Sequence, residues 1–401
     1  MKKLGIYVHI PFCIRKCLYC DFLSFSEGEE RRALYFDALK KEIAYSAKEC
    51  SGYETESVFI GGGTPTSVDP DYITEIMKLL KDNYNILENA EITIECNPGT
   101  ADFSALKKYR EAGINRLSIG LQSANDDELK RLGRIHNRKQ FEDCYQNARM
   151  AGFENVNVDL MSALPGQKIS DWENNLNYVL GLDPKPEHIS AYSLIIEEGT
   201  PFYDLYNDEA CKDCSLAALP LPDEDTERNM YYLTKELLGK KGYHRYEISN
   251  YAAGTYECLH NKRYWECRDY IGFGIGAASL MNGVRYSNIR DMSKYISCFT
   301  KEDSVSDIKS GDEMLKDIRE NTEKLTETAK MEEFMFLGLR MTKGVSIKEF
   351  RDKFGKEIHE IYGNVISSLR EEGLLEVTED SVRLTDKGMD VSNYCMAEFL
   401  L

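Results

Sequence analysis

The stretch Tyr7-Val-His-Ile-Pro-Phe-Cys13-Ile-Arg-Lys-Cys17-Leu-Tyr-Cys20 places three cysteines at CxxxCxxC spacing, directly after the first predicted strand. Three thiolates at this spacing can bind three irons of a [4Fe–4S] cubane, which leaves one iron without a protein ligand. An open coordination position is what the binding of a substrate or cofactor requires. The alternatives are three unconnected thiols or a zinc site, in which His9 would supply the fourth ligand.

Beyond this stretch, strand-like and helix-like segments alternate. Short apolar runs rich in Ile, Val, Tyr and Leu predict strands at 4–10, 57–62, 91–97, 116–123, 155–163 and 188–196. Helical patterns predict helices at 31–48, 71–83, 104–112, 126–133, 138–151 and 170–181. Six βα units predict an α/β fold with a parallel sheet, which is too short to close an eight-stranded barrel. We therefore expect a partial (β/α)6 barrel with its chemistry at the carboxyl ends of the strands.

The rest of the chain divides by composition. We predict four parts: the partial barrel at 1–200, a barrel extension at 201–300, a linker at 301–329 and a helical, winged-helix-like domain at 330–401. From Met331 to Leu401 there are 9 Lys or Arg and 14 Asp or Glu, a net charge of −5. This charge favours a packing or lid module over a DNA-binding one. It likewise disfavours a winged-helix regulator with an iron–sulfur sensor.

The overall composition limits the class of protein. The 401 residues include 12 Cys and carry a formal net charge of −18. Apolar residues make up 42 % and charged residues 29 %, which is typical of a folded globular protein. No apolar run approaches the ~20 residues of a membrane helix, and no secretory signal is present. We expect a cytoplasmic protein whose clustered cysteines bind metal, without a nucleic-acid partner.

Polar residues stand at the ends of several predicted strands. Glu95, Gln122 and Asp159 end the third, fourth and fifth strands, and Arg134 follows the fourth. The run Gly61-Gly-Gly-Thr-Pro-Thr66 ends the second strand, where glycines let backbone groups approach a ligand closely. Carboxylates can bind an amino group or ribose hydroxyls, and arginine can bind a carboxylate. The alternatives are ordinary polarity at loop mouths and a tight turn at the glycines.

Cys13, Cys17, Cys20, the Gly61–Thr66 run and the six βα units together resemble the radical S-adenosylmethionine (SAM) superfamily, over about residues 1–300. This resemblance implies a [4Fe–4S] cluster whose open iron chelates the amino and carboxylate groups of SAM. It also implies that one electron cleaves SAM into methionine and a 5′-deoxyadenosyl radical. The protein then supplies positioning and exclusion of water.

Within the superfamily, the strand-end residues match a porphyrin-acting branch that resembles oxygen-independent coproporphyrinogen III oxidase. The resemblance implies that SAM is contacted by Tyr7, Gly62, Gly63, Thr64, Glu95, Gln122, Arg134 and Asp159. The oxidase has one more cysteine two positions after the third cluster cysteine, where this chain has Phe22. It also has a longer N-terminal extension than the 12 residues before Cys13 here. Both departures resemble the heme-chaperone branch, HemW.

A third feature points the same way. The run His260-Asn-Lys-Arg-Tyr264-Trp265 resembles the HNxxYW signature of the HemW branch. A histidine beside tyrosine and tryptophan can supply an axial nitrogen to heme iron and aromatic faces to the macrocycle. The alternative is a packed core turn in which His260 is hydrogen-bonded. We therefore expect His260 to contact heme.

These features together predict a radical SAM heme chaperone. Its expected partners are heme, a respiratory cytochrome that accepts the heme, and a reducing electron donor. The membrane surface is one place where the transfer to the cytochrome is expected. The alternative function is that of an oxygen-independent coproporphyrinogen III oxidase, an enzyme of porphyrin biosynthesis that oxidatively decarboxylates two propionates. No residue is assigned as catalytic.

Overall fold

The computed structural model describes residues 1–206, 219–300 and 310–401, and its first half is a regular βα repeat. Six parallel strands are β1 (Lys2–Ile10), β2 (Tyr53–Gly62), β3 (Ile86–Cys96), β4 (Arg116–Gln122), β5 (Asn155–Ser162) and β6 (His188–Ser193). The helices between them are α1 (Glu29–Ser46), α2 (Pro70–Asn83), α3 (Phe103–Glu111), α4 (Asp126–Arg131), α5 (Arg138–Met150) and α6 (Ile169–Leu180). All of these predicted strands and helices are confirmed. The largest shift is at β3, which starts at Ile86 instead of residue 91.

Side-chain caps explain why several of these helices begin where they do. Asp69 accepts a hydrogen bond from the backbone N–H of Asp71 at 3.0 Å, with Pro70 at the first helical position. Asn137 and Gln140 form a reciprocal capping box at the start of α5. Such caps satisfy backbone donors that have no partner inside the helix.

After α7 (Pro201–Tyr206), the chain adds strands and helices around the barrel. The helices are α8 (Glu224–Lys240), α9 (Leu259–Trp265), α10 (Met292–Thr300) and α11 (Gly311–Ile318). The strands are β7 (Tyr243–Arg245), β8 (Asn250–Ala253), β9 (Tyr270–Phe273), β10 (Ala278–Met281), β11 (Val284–Asn288) and β12 (Arg319–Lys324). Within the described residues, one open sheet has the strand order β12-β11-β10-β9-β1-β2-β3-β4-β5-β6-β8-β7. The first strand β1 therefore lies in the interior of the sheet, parallel to both β2 and β9.

The segment predicted as a linker differs from the expectation. Its described part contains α11, with Leu315 and Ile318 buried, and β12, which pairs with β11. The strand is polar because it lies at the edge of the sheet and exposes most of its side chains. Hence a charged composition here marks an edge strand and not an unstructured connector. Cys211 and Cys214, two further cysteines of the barrel extension, lie outside the described residues.

A second, smaller unit follows, as predicted. Its elements are α12 (Glu327–Gly338), β13 (Val345–Ser346), α13 (Ile347–Phe354), α14 (Ile358–Glu371), β14 (Leu375–Val377), β15 (Ser381–Leu384), α15 (Asp386–Asp390) and α16 (Ser392–Ala397). The three strands form an antiparallel sheet in the order β13-β15-β14, beside an apolar core of their own. This is the expected winged-helix-like arrangement, while the exact boundaries between the four parts stay predictions.

The C-terminal unit packs against α9, which carries the HNxxYW run. The guanidinium of Arg285 makes two hydrogen bonds with the carboxylate of Glu333 on α12, at 2.6 and 2.8 Å. The guanidinium of Arg340 lies 4.2 Å from the ring centroid of Trp265.

In the three described ranges, no helix combines the length and the apolar character needed to cross a membrane.

Glu42 on α1 is a buried carboxyl that fixes the glycine-rich turn after β9. It accepts hydrogen bonds from Gly274 N at 2.8 Å, from Asn288 Nδ2 at 2.6 Å and from the hydroxyl of Tyr295. Gly274 has φ +92°, and a Cβ there would collide with the backbone oxygen of His9. Burial raises the pKa of Glu42 to about 7, against the opposing effect of its three donors.

Replacing Glu42 by glutamine is expected to weaken the pH dependence of stability. With its raised pKa, Glu42 makes the folded state bind more protons than the unfolded state between about pH 5 and pH 7. As the pH rises through this window, the free energy of unfolding of the native protein therefore falls more steeply than that of Glu42→Gln. Urea denaturation followed by circular dichroism at several pH values measures the difference. Parallel pH profiles for the two proteins would contradict the effect.

Candidate functional site

The three cysteines of the CxxxCxxC run lie on one loop, directly after β1. Cys13 is buried, and Cys17 and Cys20 are half-buried. Backbone hydrogen bonds hold the loop at several points, including Cys13 N to Phe25 O at 2.9 Å and Leu18 N to Leu132 O at 3.1 Å. The loop is thus fixed by the polypeptide itself, and the thiols are placed at the carboxyl end of the first strand.

His9 does not fit the zinc alternative. Its Nδ1 is hydrogen-bonded to the hydroxyl of Tyr7 at 2.9 Å, and its Nε2 to the carbonyl oxygen of Leu23 at 2.9 Å. Burial lowers the pKa of His9 to about 4, so the ring is neutral at pH 7. Across the described residues, no three His, Cys, Asp or Glu side chains converge closely enough to bind one metal ion. The donor set, three thiols of one loop, instead fits a cubane, whose thiolates bind separate irons.

Polar contacts connect the cysteine loop to the ends of the neighbouring strands. Cys13 Sγ lies 3.5 Å from Thr64 Oγ1, which accepts a hydrogen bond from Asn97 Nδ2 at 2.8 Å. Arg134 Nη2 donates to Asn97 Oδ1 at 2.6 Å, and Arg134 Nη1 lies 3.7 Å from Cys17 Sγ. Two of the three cysteines and two of the predicted SAM contacts therefore belong to one network.

The glycine run after β2 lets this network form. At Gly63, an added Cβ would lie 2.7 Å from the backbone oxygen of Phe12, on the cysteine loop. Gly62 has φ +115°, and a Cβ there would overlap the ring of His9. The backbone N–H of Gly62 donates to Glu95 Oε2 at 3.0 Å. Here the glycines serve the close approach of two loops, which brings Thr64 to Cys13.

Two buried carboxyl groups lie on neighbouring parts of the sheet: Glu95 is one residue before the end of β3, and Asp159 is in the middle of β5, not at its end as was predicted. Limited contact with water, together with the negative charge of Asp159, raises the pKa of Glu95 to about 8, although the N–H of Gly62 opposes the shift. Asp159 Oδ1 accepts from Asn157 Nδ2 at 2.7 Å. Burial also raises the pKa of Asp159, in spite of this hydrogen bond. Two carboxyl groups that repel each other in this way favour a cationic ligand.

Gln122 and Tyr7 complete the predicted set. Gln122 has φ +68°, a conformation that is uncommon for a side chain of this kind, and its Oε1 accepts from the hydroxyl of Tyr192 at 2.7 Å. Tyr7 on β1 is in contact with the ring of Phe59, and burial followed by the charge of Glu95 raises its pKa. Among the eight predicted SAM contacts, Thr64 and Arg134 are in contact with the cysteines, and Gly62 donates to Glu95.

The sequence interpretation missed three residues of this region. Asn97 follows Glu95 by two positions, and Asn157 precedes Asp159 by two. In an extended chain, side chains two positions apart point to the same face of the sheet, so each asparagine lies on the same face as a predicted residue. This spacing was a usable signal. Tyr192 on β6 had no such signal, since its partner Gln122 is 70 residues away.

His260 lies on α9, where its side chain contacts residues of β2. Its ring is 1 % exposed and stacks on Phe59 at a centroid distance of 5.3 Å. Nδ1 is hydrogen-bonded to Ser57 Oγ at 3.0 Å, and Nε2 to the hydroxyl of Tyr264 at 2.9 Å. Burial lowers the pKa of His260 to about 3, so the ring is neutral. In this arrangement both ring nitrogens are hydrogen-bonded, and the contact of His260 with heme stays a prediction.

Two family models match the chain. The model described as Radical SAM superfamily matches residues 7–179, and the model described as HemN C-terminal domain matches residues 325–391. The first match spans the βα units with the cysteine loop. The second falls within the C-terminal unit.

Curated relatives are similar over the whole chain. A protein of Bacillus subtilis with the name heme chaperone HemW is 35 % identical over 398 residues, which is 98 % of each chain. A protein of Lactococcus lactis with the same name is 32 % identical over 400 residues, covering 100 % of this chain and 98 % of the relative.

A solved structure shares the fold. Coproporphyrinogen III oxidase (HemN) from Escherichia coli, described as a radical SAM enzyme, aligns with a TM-score of 0.81 over 100 % of this chain and 90 % of that chain. At 23 % identity, this likeness shows the fold alone. The full-length identity to proteins named HemW goes further, because it exceeds 30 % over nearly every residue. The chain therefore belongs to the HemW family within the radical SAM superfamily.

Proposed function

We propose that this protein is a heme chaperone that binds a [4Fe–4S] cluster through Cys13, Cys17 and Cys20. The observation that carries the proposal is the network from Cys13 through Thr64, Asn97 and Arg134 to Cys17. It joins the thiols to polar strand ends, as a site for a cluster and an adjoining ligand requires. The cytoplasm is the compartment we propose, since its reducing conditions keep thiols available for metal.

SAM is the proposed second ligand. When bound to a reduced cluster, it supplies the superfamily's radical chemistry. The proposed contacts are Tyr7, Gly62, Gly63, Thr64, Glu95, Gln122, Arg134 and Asp159. Among them, Arg134 is suited to hold the SAM carboxylate, and Glu95 and Asp159 are suited to face positively charged or hydroxyl groups.

Heme is the proposed cargo, with a respiratory cytochrome as its recipient. The relatives in Bacillus subtilis and Lactococcus lactis have the name heme chaperone, which supports heme as the ligand. For His260 to contact heme iron, α9 has to move so that the ring leaves Ser57 and Tyr264. The neutral state of the ring suits this role, because neutral imidazole is the form that binds metal.

The deciding experiment compares heme binding with enzyme activity. Anaerobically reconstituted protein is titrated with heme, and a Soret band that saturates at a fixed heme-to-protein ratio is expected. In parallel, the protein is incubated with coproporphyrinogen III, SAM and a reductant. The shared fold with HemN is what makes this second assay necessary. Formation of protoporphyrinogen, or a missing Soret band, would overturn the chaperone proposal.

SAM affinity is expected to rise between about pH 7 and about pH 9. Below its pKa of about 8, Glu95 is mostly protonated, and only its ionised form attracts the permanent positive charge of the sulfonium. Binding therefore releases a proton from Glu95. Isothermal titration calorimetry in buffers of different ionisation enthalpy measures this proton. We expect Glu95→Gln to release less than the native protein, and equal release from both would contradict the assignment.

A further inference from the structure

Two cysteines outside the cysteine loop meet between β3 and α5. Cys96 is the last residue of β3, and Cys144 lies on α5. Their sulfur atoms are 3.7 Å apart, which places the two thiols in hydrogen-bond contact. Each residue is only 2 % exposed, and both are free thiols. The proposed cluster uses neither of them.

The surroundings of Cys96 favour its thiolate. The hydrogen bond from the thiol of Cys144 lowers the pKa of Cys96, although burial opposes the shift. The hydroxyl groups of Thr66 and Thr100 lower this pKa further. Because the thiolate is the nucleophilic form of cysteine, Cys96 differs from a buried thiol in apolar surroundings, which is inert. The pair therefore combines a nucleophile with a second thiol next to it, as redox-sensing cysteines do.

We propose that Cys96 and Cys144 are a modification site, at which a peroxide converts the two thiols into a disulfide. The thiolate of Cys96 attacks one oxygen of hydrogen peroxide and breaks the O–O bond, which gives a sulfenic acid and hydroxide. The thiol of Cys144 then attacks the sulfur of the sulfenic acid, and the S–S bond forms as the oxygen leaves as water. In total, the two thiols lose two electrons and two protons, and one peroxide becomes two waters.

The position of the pair determines which oxidant fits. Because both sulfur atoms are buried, the oxidant has to be nearly as small as water, which hydrogen peroxide is and a glutathione disulfide is not. An S–S bond is about 2.05 Å long, so the sulfur atoms have to approach by about 1.7 Å from their 3.7 Å separation. Two side chains share this movement. In a reducing compartment such a bond is transient, as in other redox-sensing proteins.

The disulfide would form beside the strand end that carries two residues of the candidate site. Cys96 lies between Glu95 and Asn97, and its thiol donates to the carbonyl oxygen of Asn97 at 3.6 Å. Oxidation removes this donor from the segment whose Asn97 side chain accepts from Arg134. Formation of the bond needs neither a cluster nor SAM, so the inference stands or falls independently of the proposed function.

Peptide mapping of the native full-length protein tests the proposal. The protein is treated with hydrogen peroxide, unfolded in acid with N-ethylmaleimide to block free thiols, and digested with trypsin. Cleavage after Lys and Arg places Cys96 in peptide 82–107 and Cys144 in peptide 140–149, each with a single cysteine. Mass spectrometry without reductant should find these two peptides linked in most molecules, and dithiothreitol should separate them. Both peptides carrying N-ethylmaleimide after peroxide treatment would overturn the proposal.

Cys144→Ser identifies the attacking sulfur. Serine keeps a hydroxyl donor beside Cys96 and removes the second sulfur, so oxidation should stop at the sulfenic acid, which dimedone traps on peptide 82–107. The matched control Cys298→Ser should still give the linked peptides. Absence of the dimedone adduct from folded Cys144→Ser, or a link from Cys96 to another cysteine in the native protein, would contradict the assignment. The native mapping needs no variant, so it decides the proposal even where Cys144→Ser does not fold.

Discussion

Cys17→Ser is expected to abolish the brown absorbance at ~400 nm of anaerobically reconstituted protein, because a cubane held by two thiolates is not retained. Iron content should fall from about four atoms per chain to near zero. SAM binding should be lost with it, since the open iron is the proposed anchor of SAM. Absorbance spectra, iron analysis and SAM titration measure the three effects on the same sample.

The fold should survive this substitution. Cys17 is half-buried and lies outside the main apolar core, whose residues come from the strands and the helices around them. Its loop is held by backbone hydrogen bonds that a serine leaves in place. Cys298→Ser, another half-buried position, is the matched control and should keep its iron. Four irons per chain in Cys17→Ser would contradict the ligand assignment.

His260→Phe is expected to lose the Soret band that heme gives with the native protein. Phenylalanine keeps the stacking on Phe59 and removes both nitrogens, so the proposed iron contact disappears while the aromatic packing remains. Heme titration followed by absorbance measures the loss. A native Soret band and affinity in this variant would contradict the proposed contact.

Ser57→Ala separates the proposed heme contact from a loss of stability. It removes the same hydrogen bond as His260→Phe, but from the other side, because Ser57 Oγ is the partner of His260 Nδ1. Losing this bond destabilises the arrangement in which Ser57 and Tyr264 hold the His260 ring by about 1 kcal/mol, so release of the ring becomes easier. Heme should then bind more tightly to Ser57→Ala, by about fivefold, and not at all to His260→Phe. Weaker heme binding in both variants would indicate a structural role for His260.

The barrel was predictable from sequence because its signals are local. Each strand from β1 to β6 is a short run of apolar residues, and each helix between them has its own periodicity and, at Asp69 and Asn137, its own cap. The edge strand β12 escaped prediction because its side chains face water and therefore carry no apolar pattern. Its existence depends on pairing with β11, which is a tertiary property.

The site was predictable only in part. The spacing of the cysteines and the polar strand ends are visible in the sequence, but the partners of those residues are not. Asn97 meets Arg134 across 37 residues, and the backbone N–H of His260 donates to Glu91 across 169 residues. That distant carboxylate helps to hold the HNxxYW helix against β3. Contacts across such separations are set by the sheet and not by local spacing.

The interior position of β1 has a consequence for biosynthesis. Residues Gly5–Val8 pair with Tyr270–Phe273, so the strand that leads into Cys13 has one open edge until those residues have left the ribosome. Gly274, which packs under His9, arrives only after them. An open apolar edge and a contact of such long sequence separation slow folding and expose the nascent chain to misassembly. The sheet that carries the cysteine loop is therefore complete only after a strand more than halfway along the chain has been translated.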